Sequence, residues 1–282
     1  MNPVSVIIPT FNRANIIERT IASVLAQDYP EIEIIVVDDG SIDATDAVIR
    51  NIIERNSDDR KQIRYYRQAN LGACVARNRG MMLATGRYIM FLDSDDLIVP
   101  AKLSTQVRQI EADNSQCSIC DFECIDAAGN VFQYTSNDKH PHDFIRSLTS
   151  PSISTVLMRR DSILPGLQWN AQLKRIQDID FIYKYFATIS RWSYINRALF
   201  RYNLHDGERI SDTYKKGVQY HVLRDSFGAY LFSNKSLITT DPGDLFNAYA
   251  CALRKHQFKN ALASITPVFL KKIFKYFTAA EH

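Results

Sequence analysis

Short apolar runs alternate with amphipathic stretches through the first hundred residues. The apolar runs have the length and the β-branched and aromatic content of buried strands, and the stretches between them repeat apolar residues at helical spacing. The pattern predicts the order strand Val4–Ile8, helix Asn15–Ala26, strand Glu33–Asp38, helix Asp43–Arg55, strand Ile63–Arg67, helix Leu71–Ala84 and strand Arg87–Leu92. Strict alternation of this kind predicts an α/β fold, with a parallel sheet covered by helices on both faces.

The pattern is less regular after Pro100. It predicts a helix to about Asp113, strands at Cys117–Ile125 and Ser154–Arg159, a helix at Asp178–Thr188, a strand at Trp192–Tyr202 and helical structure from Thr213 onward. The first helix also carries Asn15 and Glu18 at the spacing of a capping box. We expect a domain over residues 1–210, with halves at 1–100 and 101–210, and a helical extension over 211–282.

Composition excludes several classes of protein. The 282 residues are 46% hydrophobic and 23% charged, which is ordinary for a globular protein, and the net charge of +3 argues against a dedicated nucleic-acid binder. Charge is uneven, with net −3 over residues 1–100 and net +6 over the remainder, so the second half suits anionic partners such as phosphates.

Cysteine content and hydropathy bear on location. Five cysteines, an odd number, favour a reducing compartment. The sequence has no secretory signal pattern at its start and no apolar run of transmembrane length. We therefore expect a cytoplasmic protein, soluble or peripheral on the inner face of the cell membrane.

An acidic run follows the strand that ends at Leu92. Asp93, Asp95 and Asp96 stand within four residues there. Unpaired charge is costly to bury, so this cluster should lie at an open strand end with a counter-charge, and Mg²⁺ or Mn²⁺ prefers such oxygen ligands. The alternative is an acidic cap for the helix after Pro100, with no metal.

Three other polar segments follow strands or open helices: Pro9–Arg13, Asp38–Ser41, and Asn70–Gly72 with Arg77 and Asn78. Each one alone is also a plausible turn or cap. The first strand is not followed by the Gly-x-Gly-x-x-Gly pattern of dinucleotide-binding proteins, which argues against a nicotinamide cofactor.

Taken together and in order, these segments resemble the family-2 glycosyltransferases of the GT-A fold. The resemblance is carried by Ser5–Asn12, Val37–Asp43, Asn70–Asn78 and Phe91–Asp96; it is dense over residues 3–100 and patchy to about residue 211. It implies a mixed, mainly parallel sheet and a metal-dependent transferase. Such an enzyme moves a sugar from a nucleotide diphosphate donor, usually a uridine one, to an acceptor hydroxyl with inversion at the anomeric carbon. The acceptor implied is a surface polysaccharide or a lipid-linked oligosaccharide.

The resemblance also implies residue roles. Asp39 matches the aspartate that binds the uracil imide, Asp95 matches the metal ligand for Mn²⁺ or Mg²⁺, and His205 matches a histidine that approaches the metal or the diphosphate. Residues implied in binding the donor nucleotide are Pro9, Thr10, Phe11, Asn12, Asp39, Asn70, Gly72, Arg77, Asp93 and Ser94.

Inversion requires a general base to take the proton of the acceptor hydroxyl. The family places an aspartate, usually preceded by glutamate, at a helix start, and here Gln177 and Asp178 occupy that place. Asp178 and Asp180 fall on opposite flanks of the helix's apolar stripe, so we expect only one to face the cleft. Asp178 is the better match, although it could simply cap the helix.

Two further patterns have competing interpretations. Cys117, Cys120 and Cys124 suggest a zinc site, but strand alternation and the lack of a clear fourth ligand favour core cysteines. The segment 267–277 pairs aromatic residues with lysines, which suits an anionic membrane surface or an ordinary packed helix equally.

Two other functions remain open from sequence alone. A nucleotidyltransferase would also use a nucleotide, a metal and acidic residues, but the phosphate-binding loop expected after its first strand is not found. A non-catalytic nucleotide-sugar-binding relative would be favoured if Asp178 pointed away from the cleft or if Asp95 were unable to bind a metal.

Overall fold

The computed structural model of the protein describes residues 2–125, 128–134, 140–141, 151–174, 176–203, 220–238 and 241–251. The strands are β1 Val4–Thr10, β2 Ile32–Asp38, β3 Lys61–Arg67, β4 Tyr88–Phe91, β5 Leu97–Ile98, β6 Cys117–Ile125, β7 Val131–Tyr134, β8 Val156–Arg159 and β9 Trp192–Asn203. The helices are α1 Ile17–Leu25, α2 Thr45–Arg55, α3 Ala73–Leu83, α4 Lys102–Asp113, α5 Gln177–Thr188 and α6 Tyr220–Ser233, with a further helical segment at 242–251.

The strands form one mixed sheet in the order β3-β2-β1-β4-β8-β6-β9-β5, with β7 paired to β6. β1, β2, β3 and β4 are parallel, so their carboxyl ends meet at one edge. β8 is antiparallel to both β4 and β6, which gives β6 and its parallel neighbour β9 the same direction as β4. Most of the paired residues are in parallel registers, which confirms the predicted fold class.

Helices cover both faces of the sheet, as predicted. α1, α2 and α4 enclose one hydrophobic core, and α3, α5 and α6 enclose the other. β1 and β2 are buried throughout because they lie at the centre of the parallel part. α3 comes close to β1 at Gly80, where an added Cβ would stand 2.3 Å from Cγ2 of Ile7.

The predicted capping box on α1 is wrong. Among the described residues, no side chain caps this helix; the amides of Ile16 and Ile17 both donate to the carbonyl of Arg13 instead. The carboxylate of Glu18 instead forms an ion pair with Arg55 of α2 at 2.9 Å. The local pattern had predicted that this side chain would cap its own helix.

Two of the three cysteines of β6 are in the core as predicted, whereas Cys124 is only partly buried. Cys117 and Cys120 are buried, and the Nζ atom of Lys102 lies 3.3 Å from Sγ of Cys120. Burial lowers the pKa of Lys102 and raises that of the Cys120 thiol. Cys120 is therefore part of a buried polar contact inside the core.

The chain beyond β9 contributes to the main core. Leu223, Phe227 and Leu231 of α6 and Tyr249 of the 242–251 segment belong to the same hydrophobic cluster as Ile7 of β1. The predicted boundary near residue 210, His205 and the segment 267–277 lie outside the described residues. Among the described helices, none has the length and apolarity needed to span a bilayer.

Candidate active site

The loops after β1 and β2 are held together at the carboxyl edge of the sheet. Asn12 adopts φ +52°, its amide donates to Oγ of Ser41 at 2.9 Å, and its Oδ1 accepts the amide of Ile42 at 2.9 Å. The amide of Asp39 donates to the carbonyl of Thr10 at 2.8 Å. The Thr10 side chain is buried and its Oγ1 has no hydrogen-bond partner among the described residues. The predicted segment Pro9–Asn12 thus lies beside the Asp39 loop.

Asp39 fixes the loop that leads into α3. Its Oδ1 accepts hydrogen bonds from Nε2 of Gln68 at 2.8 Å and from the amide of Leu71 at 2.9 Å. Its Oδ2 accepts the amide of Gly72 at 2.7 Å, and Gly72 has φ +95°, a conformation that favours glycine. Asp39 is 5% exposed. Both oxygens of Asp39 therefore already accept hydrogen bonds from the neighbouring loop, and the predicted contact with uracil would use the same carboxylate.

Asp38 supports this edge and was not singled out from the sequence. Its Oδ1 accepts the amide of Ser41 at 2.8 Å, and its Oδ2 accepts the hydroxyl of Tyr65 at 2.7 Å. The Asp-Asp-Gly-Ser turn therefore uses its first aspartate to close the turn and its second to bind the next loop. By contrast, Phe11 and Asn70 have exposed side chains.

Arg77 connects the acidic run to the start of α5. Its Nη2 donates to Oδ1 of Asp93 at 2.7 Å, and its Nη1 donates to Oε1 of Gln177 at 3.3 Å. Arg77 is only 8% exposed, so it does not lie on a solvated face of its helix. The structure brings Arg77 and Asp93 close enough to Asp178, which is distant in the sequence, for their charges to act on it.

The first turn of α5 separates the two candidate bases. Asp178 is partly exposed; burial and the nearby Asp93 raise its pKa above the ordinary value, while Arg77 and backbone amides act in the opposite direction. Asp180 is fully buried, and its Oδ2 accepts Nζ of Lys184 at 2.8 Å. Asp178 therefore belongs to the Arg77 and Asp93 group, whereas Asp180 belongs to the core.

The residue before α5 has an uncommon backbone conformation. Ile176 has φ +50°, a region that β-branched residues rarely adopt. Nε2 of Gln177 donates to the carbonyl of Leu173 at 2.9 Å and helps to hold this strained turn. Strain of this kind clusters at functional sites, which is consistent with a site at the start of α5.

The residues of the acidic run have different described contacts. Asp93 binds Arg77, and Oδ2 of Asp95 lies 3.7 Å from Nη2 of Arg13. Asp96 is 1% exposed, and its amide donates to the carbonyl of Asp93. Ser94 is buried and its carbonyl accepts the hydroxyl of Thr20 at 3.0 Å.

Asp95 is the residue of this run that the family resemblance predicts as a metal ligand. Among the described residues, no three His, Cys, Asp or Glu side chains form a group that could hold a metal ion. The Asp95 side chain is 24% exposed at the open edge of the sheet, and Mg²⁺ is often bound by one or two carboxylates with phosphates completing its shell. His205, the second predicted ligand, lies outside the described residues.

The chain is similar in sequence to curated bacterial glycosyltransferases. Over 230 residues, the chain is 29% identical to the uncharacterized glycosyltransferase YibD of Escherichia coli, with 77% of this chain and 65% of the relative covered. It is 40% identical over 111 residues to the GalNAc(5)-diNAcBac-PP-undecaprenol β-1,3-glucosyltransferase of Campylobacter jejuni, covering 39% of this chain and 35% of that protein. The chain thus spans less than two thirds of the length of these relatives.

Solved structures show the same fold. The Staphylococcus aureus TarS fragment 1–349, in complex with UDP-GlcNAc, superposes with a TM-score of 0.73 at 19% identity, covering 95% of this chain and 77% of that one. The family model described as glycosyl transferase family 2 matches residues 5–166, more than half of the chain. This protein therefore belongs to glycosyl transferase family 2 and has the GT-A fold.

Proposed function

We propose that this protein is an inverting glycosyltransferase that moves a sugar from a nucleotide diphosphate donor, a uridine one, to an acceptor hydroxyl. The observation that carries the proposal is that Arg77 bonds both Asp93, which follows a parallel strand, and Gln177, which directly precedes Asp178; Asp178 interacts electrostatically with Asp93 and Arg77. Ligands of open α/β sheets bind at the edge where the parallel strands end. The UDP-GlcNAc held by the similar TarS fragment supports a uridine donor.

Asp178 is the proposed general base. The acceptor oxygen attacks the anomeric carbon while the bond from that carbon to the diphosphate oxygen breaks, and the acceptor's proton passes to the Asp178 carboxylate. The carboxylate stands in the first turn of α5, where the helix dipole favours the ionised form. Its pKa is raised by burial and by Asp93, which makes it a better proton acceptor than an ordinary aspartate.

Asp93 and Arg77 are proposed to act on the donor side. Asp93 is assigned to the ribose and the donor sugar, and the guanidinium of Arg77 is assigned to completing the nucleoside pocket. Since Arg77 also contacts Gln177, its guanidinium links the proposed donor site to α5, the helix that carries the proposed base (the base helix). Gln177 stands where the family usually has glutamate, so the group that accepts this hydrogen bond from Arg77 is a neutral amide rather than a carboxylate.

Asp95, with His205, is proposed to hold Mn²⁺ or Mg²⁺ together with the donor's diphosphate. A divalent ion bound there would stabilise the negative charge that develops on the departing nucleoside diphosphate. Arg13, 3.7 Å from Asp95, can balance the carboxylate before the donor binds.

The proposed acceptor is a saccharide, free or lipid-linked, in surface polysaccharide synthesis. The undecaprenol-linked substrate in the name of the Campylobacter jejuni relative supports a lipid-linked acceptor. We propose a cytoplasmic location, peripheral on the inner face of the membrane, where such an acceptor would be reached.

A panel of nucleotide sugars, assayed for donor hydrolysis and then for transfer, tests the proposal. We expect a uridine diphosphate sugar to be consumed and Asp178→Asn to slow transfer by a factor on the order of 10² to 10⁴. Proton NMR of the new linkage should show an anomeric configuration opposite to that of the donor. A retained configuration, or turnover of nucleoside triphosphates with release of pyrophosphate, would contradict it.

A further inference from the structure

Trp169 lies between the two halves of the candidate site, although no motif pointed to it. It stands in the loop between β8 and α5, outside the residues that the family model matches. Its side chain is 2% exposed, and its Nε1 has no hydrogen-bond partner among the described residues. If this position required only apolar packing, phenylalanine would fill much of the space without leaving a buried N–H donor unpaired. The unpaired donor therefore suggests that the indole ring has a further role.

Asn78 holds the backbone of Trp169 with both ends of its amide. Its Nδ2 donates to the carbonyl of Trp169 at 2.9 Å, and its Oδ1 accepts the amide of Trp169 at 2.8 Å. Asn78 follows Arg77 directly in α3. α3 therefore carries both Arg77 and the asparagine that holds the backbone of Trp169.

The indole ring of Trp169 has a different neighbour on each side. It stacks on Phe181 of α5, with ring centroids 4.5 Å apart and an interplanar angle of 9°, and Phe91 of β4 meets it edge-on at 5.0 Å. The guanidinium carbon of Arg77 lies 4.4 Å from the centroid of the indole ring. The indole ring thus contacts β4, which precedes the acidic run, α5, which carries Asp178, and the guanidinium of Arg77.

The Arg77 guanidinium contacts the indole face and is not fully hydrogen-bonded among the described residues. The Nε atom of Arg77 is buried and has no hydrogen-bond partner among the described residues. Its two terminal nitrogens reach Asp93 and Gln177. An aromatic face is a favourable surface for a desolvated guanidinium, so contact with the indole limits where the group that makes both of these hydrogen bonds can lie.

We propose that Trp169 is a positioning residue that holds the Arg77 guanidinium between Asp93 and Gln177 and thereby aligns the donor site with the base helix. The proposal rests on the proposed function, because it assigns Arg77 and Asp178 their parts in sugar transfer. Trp169 itself touches no reacting atom; it acts through Arg77. A small displacement of such a group costs much rate, since catalysis depends on held geometry.

Two substitutions separate positioning from simple packing. Trp169→Phe keeps an aromatic face beneath Arg77, whereas Trp169→Leu keeps apolar bulk and removes that face. We expect the Phe variant to keep most of the kcat and the Leu variant to lose a factor on the order of 10 to 100. Phe227→Leu is the control for loss of a buried aromatic, because Phe227 packs on Tyr183 and Tyr249 in the same core. Its kcat per folded molecule should stay near that of the unsubstituted protein.

A spectroscopic measurement tests the contact without requiring activity. The Hε proton of Arg77 should show an upfield ring-current shift from the indole, with its NMR signal assigned by loss in Arg77→Lys. The shift should persist in part in Trp169→Phe and vanish in Trp169→Leu. If no donor is consumed but this pattern holds, the proposed function fails while the placement of Arg77 by Trp169 stands.

Two outcomes would overturn the proposal. One is an unchanged Arg77 signal in Trp169→Leu. The other is equal kcat in the Phe and Leu variants with only a lowered melting temperature in both. Either result would make Trp169 a packing residue alone.

Discussion

The Nζ atom of Lys184 lies 2.8 Å from Oδ2 of Asp180, and both side chains are buried. Lys184 also donates to Oγ of Ser226 at 2.6 Å, which ties the pair to α6. This ion pair gives Asp180 a structural role. We therefore expect substitutions of Asp178 and Asp180 to have different effects on stability and activity.

Asp180→Asn should destabilise the protein. Removing one partner of a buried ion pair leaves the other charge uncompensated, which typically costs about 3–5 kcal/mol. Urea unfolding should show this loss, whereas kcat per folded molecule should change little. A loss of turnover without loss of stability would indicate that Asp180, rather than Asp178, acts in the reaction.

Asp178→Asn should reduce kcat by a factor on the order of 10² to 10⁴, as expected for removal of a positioned general base. Donor affinity should be nearly unchanged because Asp178 acts on the acceptor. Steady-state kinetics with UDP affinity measured in parallel test this. Full turnover in Asp178→Asn would remove this residue from the mechanism.

The same substitution should stabilise the protein at neutral pH. Burial and Asp93 raise the pKa of Asp178 in the folded state, so its ionisation costs folding free energy once the pH exceeds the ordinary value near 4. That cost is absent at lower pH, grows as the pH rises through the raised pKa and is then fully present. The stability gained by Asp178→Asn should therefore be larger at pH 7 than at pH 4 in thermal melts. An equal difference at both values would mean that the folded-state pKa is not raised.

UDP with Mn²⁺ should raise the melting temperature, and NAD or adenosine nucleotides should not. A ligand that binds only the native state stabilises it by mass action, by about 2.7 kcal/mol at a hundredfold excess over the dissociation constant. Asp95→Ala should abolish the part of the shift that depends on Mn²⁺ while leaving the melting temperature without ligand nearly unchanged. Asp58→Ala, at an exposed surface pair with Arg60, is the matched control. A larger shift with NAD would contradict the assignment of the nucleotide site.

Deleting residues 267–282 tests the proposed membrane contact. If the aromatic and lysine residues of 267–277 lie on an anionic bilayer, the truncated protein should co-sediment less with anionic vesicles but hydrolyse a soluble donor as before. Neutral vesicles serve as the control for charge. Equal binding by the truncated protein, or its failure to fold, would favour an ordinary packed helix.

The sequence alone determined the parallel half of this protein. Runs such as Ile34–Val37 have no polar face, so they had to become central strands, and alternation with amphipathic helices then required parallel pairing. Parallel strands end at one edge, which is why Asp39 and Asp93 could be placed near each other without a structure. The four motifs at that edge are local in sequence, and the family resemblance could be read from them.

The tertiary structure decided what depends on contacts between distant segments. Asp178 and Asp180 flank the same apolar stripe, and only the packing of α5 against α6 determines which one is buried with Lys184. Glu18 bonds to Arg55 rather than capping its own helix, and Trp169 meets Asn78 across 91 residues of chain. A local pattern records which face of an element is apolar, but it contains no information on which distant side chain will meet that face, because that choice is made by the free energy of packing the whole chain.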